Sequence, residues 1–300
     1  MDTFRDALRP PDGGTEREGV LGDLAEYYGL TPEVALRRCL TWEQASIEEW
    51  EAAHRDTREG LSDFYATVTS WSFDLLWYSY VQASGFGYPK NVIIADRFGT
   101  PQRPKQLLDL GSGVGATAQM FTTLGYDVTL ADVSSRLLEF ARWRLDRRGV
   151  KATYLQLPAE LPARTFDAIT ALDVMVHIPA AELSTTVRNL HQALRPGGLL
   201  VADYDVRRRS RANAWHLHDD DLPLRWAIER EGFIPVTLID GIVWIYRAVP
   251  TDGIRWKART ALTWLRLASP LARAIRRLRR ELARLALVTF YRLTQARRSR

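Results

Sequence analysis

An apolar run ending in an acid meets three glycines at alternate positions in Leu107-Leu108-Asp109-Leu110-Gly111-Ser112-Gly113-Val114-Gly115. The run reads as a buried parallel strand, and the glycines allow a turn tight enough for a ligand to lie against bare backbone. Helix-compatible residues follow from Ala116 to Phe121, so the free N–H groups of a helix start face the same ligand. A second run, Asp127 to Ala131, then ends in Asp132. That acid stands at the ~20-residue offset at which a carboxylate grips a ribose in nucleoside-binding βαβ units. Position 116 is alanine, so the dehydrogenase spacing G-x-G-x-x-G is not met, and no Gly-Lys-Ser/Thr follows to neutralise a polyphosphate.

The pattern Asp109-x-Gly111-x-Gly113-x-Gly115 with Asp132 resembles the signature of class I S-adenosylmethionine-dependent methyltransferases. The resemblance implies that Gly111, Ser112 and Gly113 pass under the methionine end of S-adenosylmethionine and that Asp109 reaches its ammonium. It implies that Asp132 accepts both ribose hydroxyls and that Val133 covers one adenine face. The family often carries an acid after the third strand, to accept the adenine amino group. Here Leu157-Pro158-Ala159-Glu160 puts proline at that place, so adenine recognition is expected from backbone near Ala159 and Glu160, or from Glu160 itself.

Asp173-Val174-Met175-Val176-His177-Ile178-Pro179 resembles the family's ending of strand four, with Asp173 in the cofactor set and His177 before a helix. An imidazole of pKa ~6.5 suits removal of a proton from an acceptor hydroxyl. The same histidine could instead tie down its loop, and both roles stay open. The Asn/Asp-Pro-Pro-aromatic tetrad of amino-group DNA methylation is absent, which argues against nucleobase amines. His216, His218 and Asp219 to Asp221 resemble a metal cluster, yet three acids also fit the first turn of a helix. Capping is the favoured reading and no metal is expected.

Three parts must position these groups. Residues 1–100 read as a helical cap, with Thr31-Pro32 as a helix start and Thr41 to Gln44 as a capping box. The cap's aromatic stretch supplies a lid, with Trp71, Phe73, Trp77, Tyr78 and Tyr80 as candidates to line an acceptor pocket. Residues 101–250 alternate strand and helix, which implies an α/β doubly wound, Rossmann-like sheet with ligand at the carboxyl ends of its strands. Strands are predicted at about 105–110, 127–131, 152–156, 166–172, 198–204, 233–240 and 242–248. Asp240-Gly241 is a hairpin signal that makes the last strand antiparallel. The family resemblance implies seven strands in the order 3-2-1-4-5-7-6.

Residues 251–300 form the third part. Of the 41 Lys and Arg and 36 Asp and Glu in the 300 residues, Gly253 to Arg300 holds thirteen Arg, one Lys and a single acid, Glu281. Its Leu271, Ile275, Leu278, Leu282 and Leu285 fall on one helical stripe, with arginines opposite. Such a basic amphipathic helix, preceded by Trp256 and Trp264, suits an anionic membrane surface. Docking onto the body of this chain, or onto a second copy in a homodimer, is the other strong reading, and a nucleic acid is disfavoured because it needs no leucine stripe. The N-terminus carries no signal-peptide pattern and no apolar run reaches ~18 residues, so a cytoplasmic site at the inner membrane face is expected. The single cysteine, Cys39, excludes a disulfide framework.

The combined expectation is methyl transfer from S-adenosylmethionine to oxygen of a small or lipid-linked acceptor. The alternatives are other chemistry on the same fold, such as cyclisation of S-adenosylmethionine, or a membrane-binding module with a vestigial cofactor site.

Overall fold

A computed structural model of the chain describes residues 2–103, 105–207 and 210–250. The amphipathic stripe expected between 251 and 300 lies outside the described residues. Seven helices precede the first strand: α1 (Asp2–Asp6), α2 (Glu16–Tyr28), α3 (Pro32–Leu40), α4 (Trp42–Ala52), α5 (Arg58–Thr67), α6 (Ser70–Ala83) and α7 (Lys90–Phe98). Local capping explains several starts. Thr15 and Glu18 form a reciprocal capping box on α2, and Thr31 accepts from the Val34 amide at 3.4 Å ahead of Pro32. The box expected at Thr41 does not form. Thr41 also closes α3, and its hydroxyl donates back to the Arg37 carbonyl at 3.0 Å.

Helix α6 is capped from a distance. The Glu49 carboxylate of α4 accepts from the amides of Thr69 and Ser70, at 3.1 and 3.2 Å, and from both of their hydroxyls. A negative charge at this end also meets the positive pole of the helix.

From β1 (Lys105–Leu110) the chain alternates as expected: α8 (Ala116–Thr123), β2 (Tyr126–Asp132), α9 (Ser135–Arg147), β3 (Thr153–Gln156) and β4 (Phe166–Ala171). There follow α10 (Ala180–Ala193), β5 (Leu194–Asp203), α11 (Leu222–Arg230), β6 (Phe233–Ile239) and β7 (Val243–Ala248). The sheet order is β3-β2-β1-β4-β5-β7-β6, with β7 antiparallel to both of its neighbours. Asp240 and Gly241, at φ 49° and 72°, make the left-handed pair that a two-residue hairpin needs. β5 starts earlier than the expected residue 198, because Leu194 pairs with Phe166 before an irregularity resets the register to Ala168–Leu199.

Adjacent residues of β1 feed opposite cores, as strand geometry requires. Leu107 joins a cluster that includes Phe4, Leu24, Leu76 and Ile94 of the N-terminal helices, so cap and sheet share one apolar interior. Leu108 joins the other face with Ile169, Leu183, Leu200, Ile228 and Tyr246. A third cluster gathers Trp50, Phe64, Tyr65, Val68 and Trp215. Two further contacts bind helices to the sheet unit. Arg144, fully buried on α9, pairs with Asp23 of α2 at 3.0 Å, and the Tyr88 hydroxyl donates to Asp240 at 2.8 Å. Among the described residues no helix is long and apolar enough to cross a membrane.

Candidate active site at the carboxyl ends of the strands

The glycine turn is built by packing as much as by conformational freedom. Gly111 and Gly113 sit at φ 66° and 52°, where a side chain is strained. A Cβ on Gly111 would stand 2.6 Å from Val174 Cγ2, and one on Gly113 would stand 2.7 Å from Leu75 Cδ1. Helix α6 and the segment after β4 therefore close directly onto the turn. Its amides are spent internally. Gly111 and Ser112 donate to the Ala131 carbonyl at 2.8 and 3.3 Å, Gly113 donates to Asp132 Oδ2 at 2.8 Å, and Gly115 donates to the Ser112 carbonyl. These four amides precede the helix-start N–H groups, from Ala116 onward, that were expected to face a ligand. The Ser112 hydroxyl, by contrast, is buried with no hydrogen-bond partner.

The expected carboxylates occupy the strand ends. Asp132 is buried where β2 meets α9, its Oδ1 accepting from the Ser134 amide at 2.9 Å. Ser134 itself caps α9, which leaves Asp132 free of that task. Burial raises the Asp132 carboxyl above its ordinary range against the pull of those amides. Asp109 is equally buried, and its two oxygens accept from Thr170 at 2.7 Å and Thr117 at 2.9 Å, with burial again raising it. Val133 is exposed, and Gln156 donates to its carbonyl at 2.7 Å. Ala159 and Glu160 are exposed beyond β3, just after the cis Leu157–Pro158 bond.

Asp173 stands at φ 55°, a left-handed conformation unusual outside glycine. Its amide donates to Asp203 Oδ1 at 2.7 Å, and Lys90 pairs with both Asp173 and Asp203, the latter at 2.8 Å. Lys90 and Asp203 are buried. Burial, and then the Asp173 charge, raise the Asp203 carboxyl, while Lys90 pulls it back.

His177 lies in a short 3-10 turn, Met175–His177, partly covered by Tyr65, Trp71 and His216 at centroid distances of 5.7, 5.5 and 5.0 Å. Its Nδ1 is 3.1 Å from the Trp215 carbonyl, which fixes the proton there and leaves Nε2 as the lone-pair nitrogen. Burial lowers its pKa to about 4, with His216 adding to the effect. His216 and His218 turn to different carbonyls, those of Asp205 and Ile178, at 3.2 and 2.7 Å. Among the described residues no three His, Cys, Asp or Glu side chains converge as a metal set.

The lid residues divide. Trp71 faces His177, and Tyr78 lies within electrostatic reach of Lys90 and Asp173. Phe73 does not line a pocket, because it is buried in the core and stacked on Tyr28 at 5.0 Å. Trp77 and Tyr80 pair with each other at 4.9 Å against the same core. One turn before Tyr78, Asp74 makes no hydrogen bond or ion pair with a described residue, and burial together with the Asp173 charge pushes its carboxyl up to about 7. Asp74, Lys90 and Asp203 escape a sequence reading built on the glycine motif. The available signals were Asp203 ending its strand as Asp132 ends β2, and a lysine opening a helix, where the dipole disfavours it.

Residues 108–200 match the family model of a methyltransferase domain. The ubiquinone biosynthesis O-methyltransferase of Methylocella silvestris is 31% identical over 130 residues, covering 42% of this chain and 50% of that relative. Its counterpart from Sinorhizobium medicae is 28% identical over 142 residues, 44% of this chain and 56% of the relative. The chain thus spans about half the length of the curated relatives it matches. Among solved structures, phosphoethanolamine N-methyltransferase 2 of Haemonchus contortus, in complex with S-adenosyl-L-methionine, is similar with a TM-score of 0.43 at 22% identity, covering 49% of this chain and 37% of that one. The [4+2]-cyclase SpnF is similar with a TM-score of 0.44 at 20% identity, covering 50% and 58%.

Proposed function

We propose that this chain, which carries a class I S-adenosylmethionine-dependent methyltransferase domain, binds S-adenosylmethionine across the glycine turn and methylates an oxygen of a small or lipid-linked acceptor. The observation that carries the reading is the Gly113–Asp132 hydrogen bond, which joins the turn to the strand-end carboxylate. The residues fit that cofactor. Asp132 keeps a lone pair on each oxygen for the ribose hydroxyls after accepting its two amides. The unpartnered Ser112 hydroxyl is a ready contact beside them. Asp109 likewise accepts one hydroxyl on each oxygen and keeps a lone pair on both, so it and the carbonyl oxygens of the turn are the acceptors available to the ammonium.

Bound there, the cofactor supplies a methyl group that its sulfonium already makes electrophilic. The chain's part is to hold the acceptor oxygen in line with that methyl and to exclude water, and such positioning can supply ~7–11 kcal/mol of the barrier. Leu75, Trp71 and Tyr78 of α6 form the roof that does this. As the acceptor's proton leaves, it needs a base. His177 enters as the neutral imidazole, although a pKa of about 4 makes it weak. Asp74, uncommitted and near neutrality, is better matched to that task. An oxygen acceptor is supported by the O-methyltransferase names of the curated relatives.

Titration calorimetry with S-adenosylmethionine tests the cofactor assignment. Asp132→Ala is expected to weaken binding at least 100-fold, and undiminished affinity in that variant refutes the ribose contact. Product analysis separates the chemistries, because S-adenosylhomocysteine reports methyl transfer whereas methylthioadenosine reports cyclisation. Comparing metabolites from cells lacking and overproducing the protein identifies the acceptor.

A further inference from the structure

We infer that Lys90 is a positioning residue for the cofactor site, holding the segment after β4 under the glycine turn by compensating the paired carboxylates of Asp173 and Asp203. The inference rests on the cofactor reading above and extends it to a residue outside the glycine motif. Lys90 is the first residue of α7, where the positive pole of the helix disfavours a cation, and it is buried nonetheless. Its ammonium bridges the two acids that close β4 and β5. Asp203 divides its oxygens between that ammonium and the Asp173 amide. Asp173 is thereby held at φ 55°, and the next residue, Val174, is pressed against Gly111. A continuous line of contact runs from Lys90 to the backbone proposed to carry the cofactor's methionine end.

Without the ammonium, the buried Asp203 carboxylate faces the charge of the partly exposed Asp173 uncompensated, which raises its proton affinity further. Other charges face the same spot. Asp74 and Tyr78 approach from α6, Tyr88 from the residue run before α7, and His177 from the turn after β4. Asp205, Arg207 and His216 approach from beyond β5, with Arg207 already paired to Asp205. None of these supplies a second cation to Asp203 in place of Lys90 among the described residues.

The test is calorimetric binding of S-adenosylhomocysteine at pH 6 and pH 8.5 to the wild type, Lys90→Met, and Lys90→Met combined with Asp203→Asn. Lys90→Met is expected to weaken binding at least ten-fold at pH 8.5 and clearly less at pH 6, where the acid pair retains a proton. The double variant, which removes the uncompensated charge, is expected to return to within about three-fold of wild type at both values. Equal affinity of Lys90→Met and wild type, a loss that is the same at both pH values, or a double variant that stays weak each overturns the inference. Should Lys90→Met not fold alone, the double variant decides, and loss of binding in a double variant with wild-type thermal melting overturns the inference. A wild type that fails to bind S-adenosylhomocysteine refutes the cofactor reading itself. A wild type that binds beside an equally competent Lys90→Met refutes the role of Lys90 alone.

Discussion

Charge is held in or against the protein interior at several points of this molecule, and Asp74, partly buried on α6, is the case with the least support from its neighbours. Its carboxyl is raised from 3.8 to about 7, chiefly by burial and then by Asp173. A group whose folded-state pKa is raised favours the folded chain below the unfolded value and loses that advantage as pH climbs through the folded one. Ionised Asp74 therefore costs stability at pH 8. Asp74→Asn is expected to raise the unfolding free energy there by on the order of 2 kcal/mol. The gain should shrink as pH falls below 7 and vanish near 4. Urea denaturation across that range measures it, and a gain independent of pH would show that the carboxylate is ordinary. The sequence reading reached the neighbouring aromatics but not Asp74. An acid between Phe73 and Leu75 on a helix looks like any solvated residue until the strand ends that it faces are known.

At the scale of elements, α6 is the part whose placement matters most to the site, because Trp71, Leu75 and Tyr78 project from it toward the strand ends. Its start has no local cap. Glu49 supplies one from α4, through charge-assisted bonds to two amides and two hydroxyls. Glu49→Ala is expected to cost about 2 kcal/mol of global stability, given what caps and charged hydrogen bonds contribute. Amide exchange should quicken first at residues 69–73, and unchanged protection there would contradict the role of Glu49. Helix α6 was legible as a helix from its residues, whereas its cap was not, since Glu49 lies 20 positions before Thr69. Thr41 teaches the reverse lesson. A local capping pattern is overridden when the same hydroxyl must finish the preceding helix.

For the whole molecule, the sheet was the most legible feature. Apolar runs, glycine turns and the Asp240-Gly241 hairpin mark the strands, because parallel strands buried on both faces leave a strong trace in composition, while the observed strand order was reached through the family resemblance. What stayed hidden is how the cap meets the sheet. Lys90 finds its acids 83 and 113 residues further along the chain, and nothing local announces such a meeting. The charge division of the chain raises a separate question at this scale. With thirteen arginines after residue 252, the tail is proposed to seek anionic membrane surfaces, where each basic group contributes ~1 kcal/mol that salt screens away. Co-sedimentation with phosphatidylserine vesicles should be strong in low salt for the full chain and lost on deleting 253–300. Equal sedimentation of both forms would favour docking of the tail onto protein.

The Tyr88–Asp240 contact has a practical corollary for anyone altering this chain. Exposed two-residue turns are ordinarily the safest places to graft a tag or open a permuted terminus. The turn between β6 and β7 is an exception. Asp240 there accepts from a tyrosine only two residues ahead of Lys90, so surgery at that outlying bend is expected to loosen the chain where it enters α7.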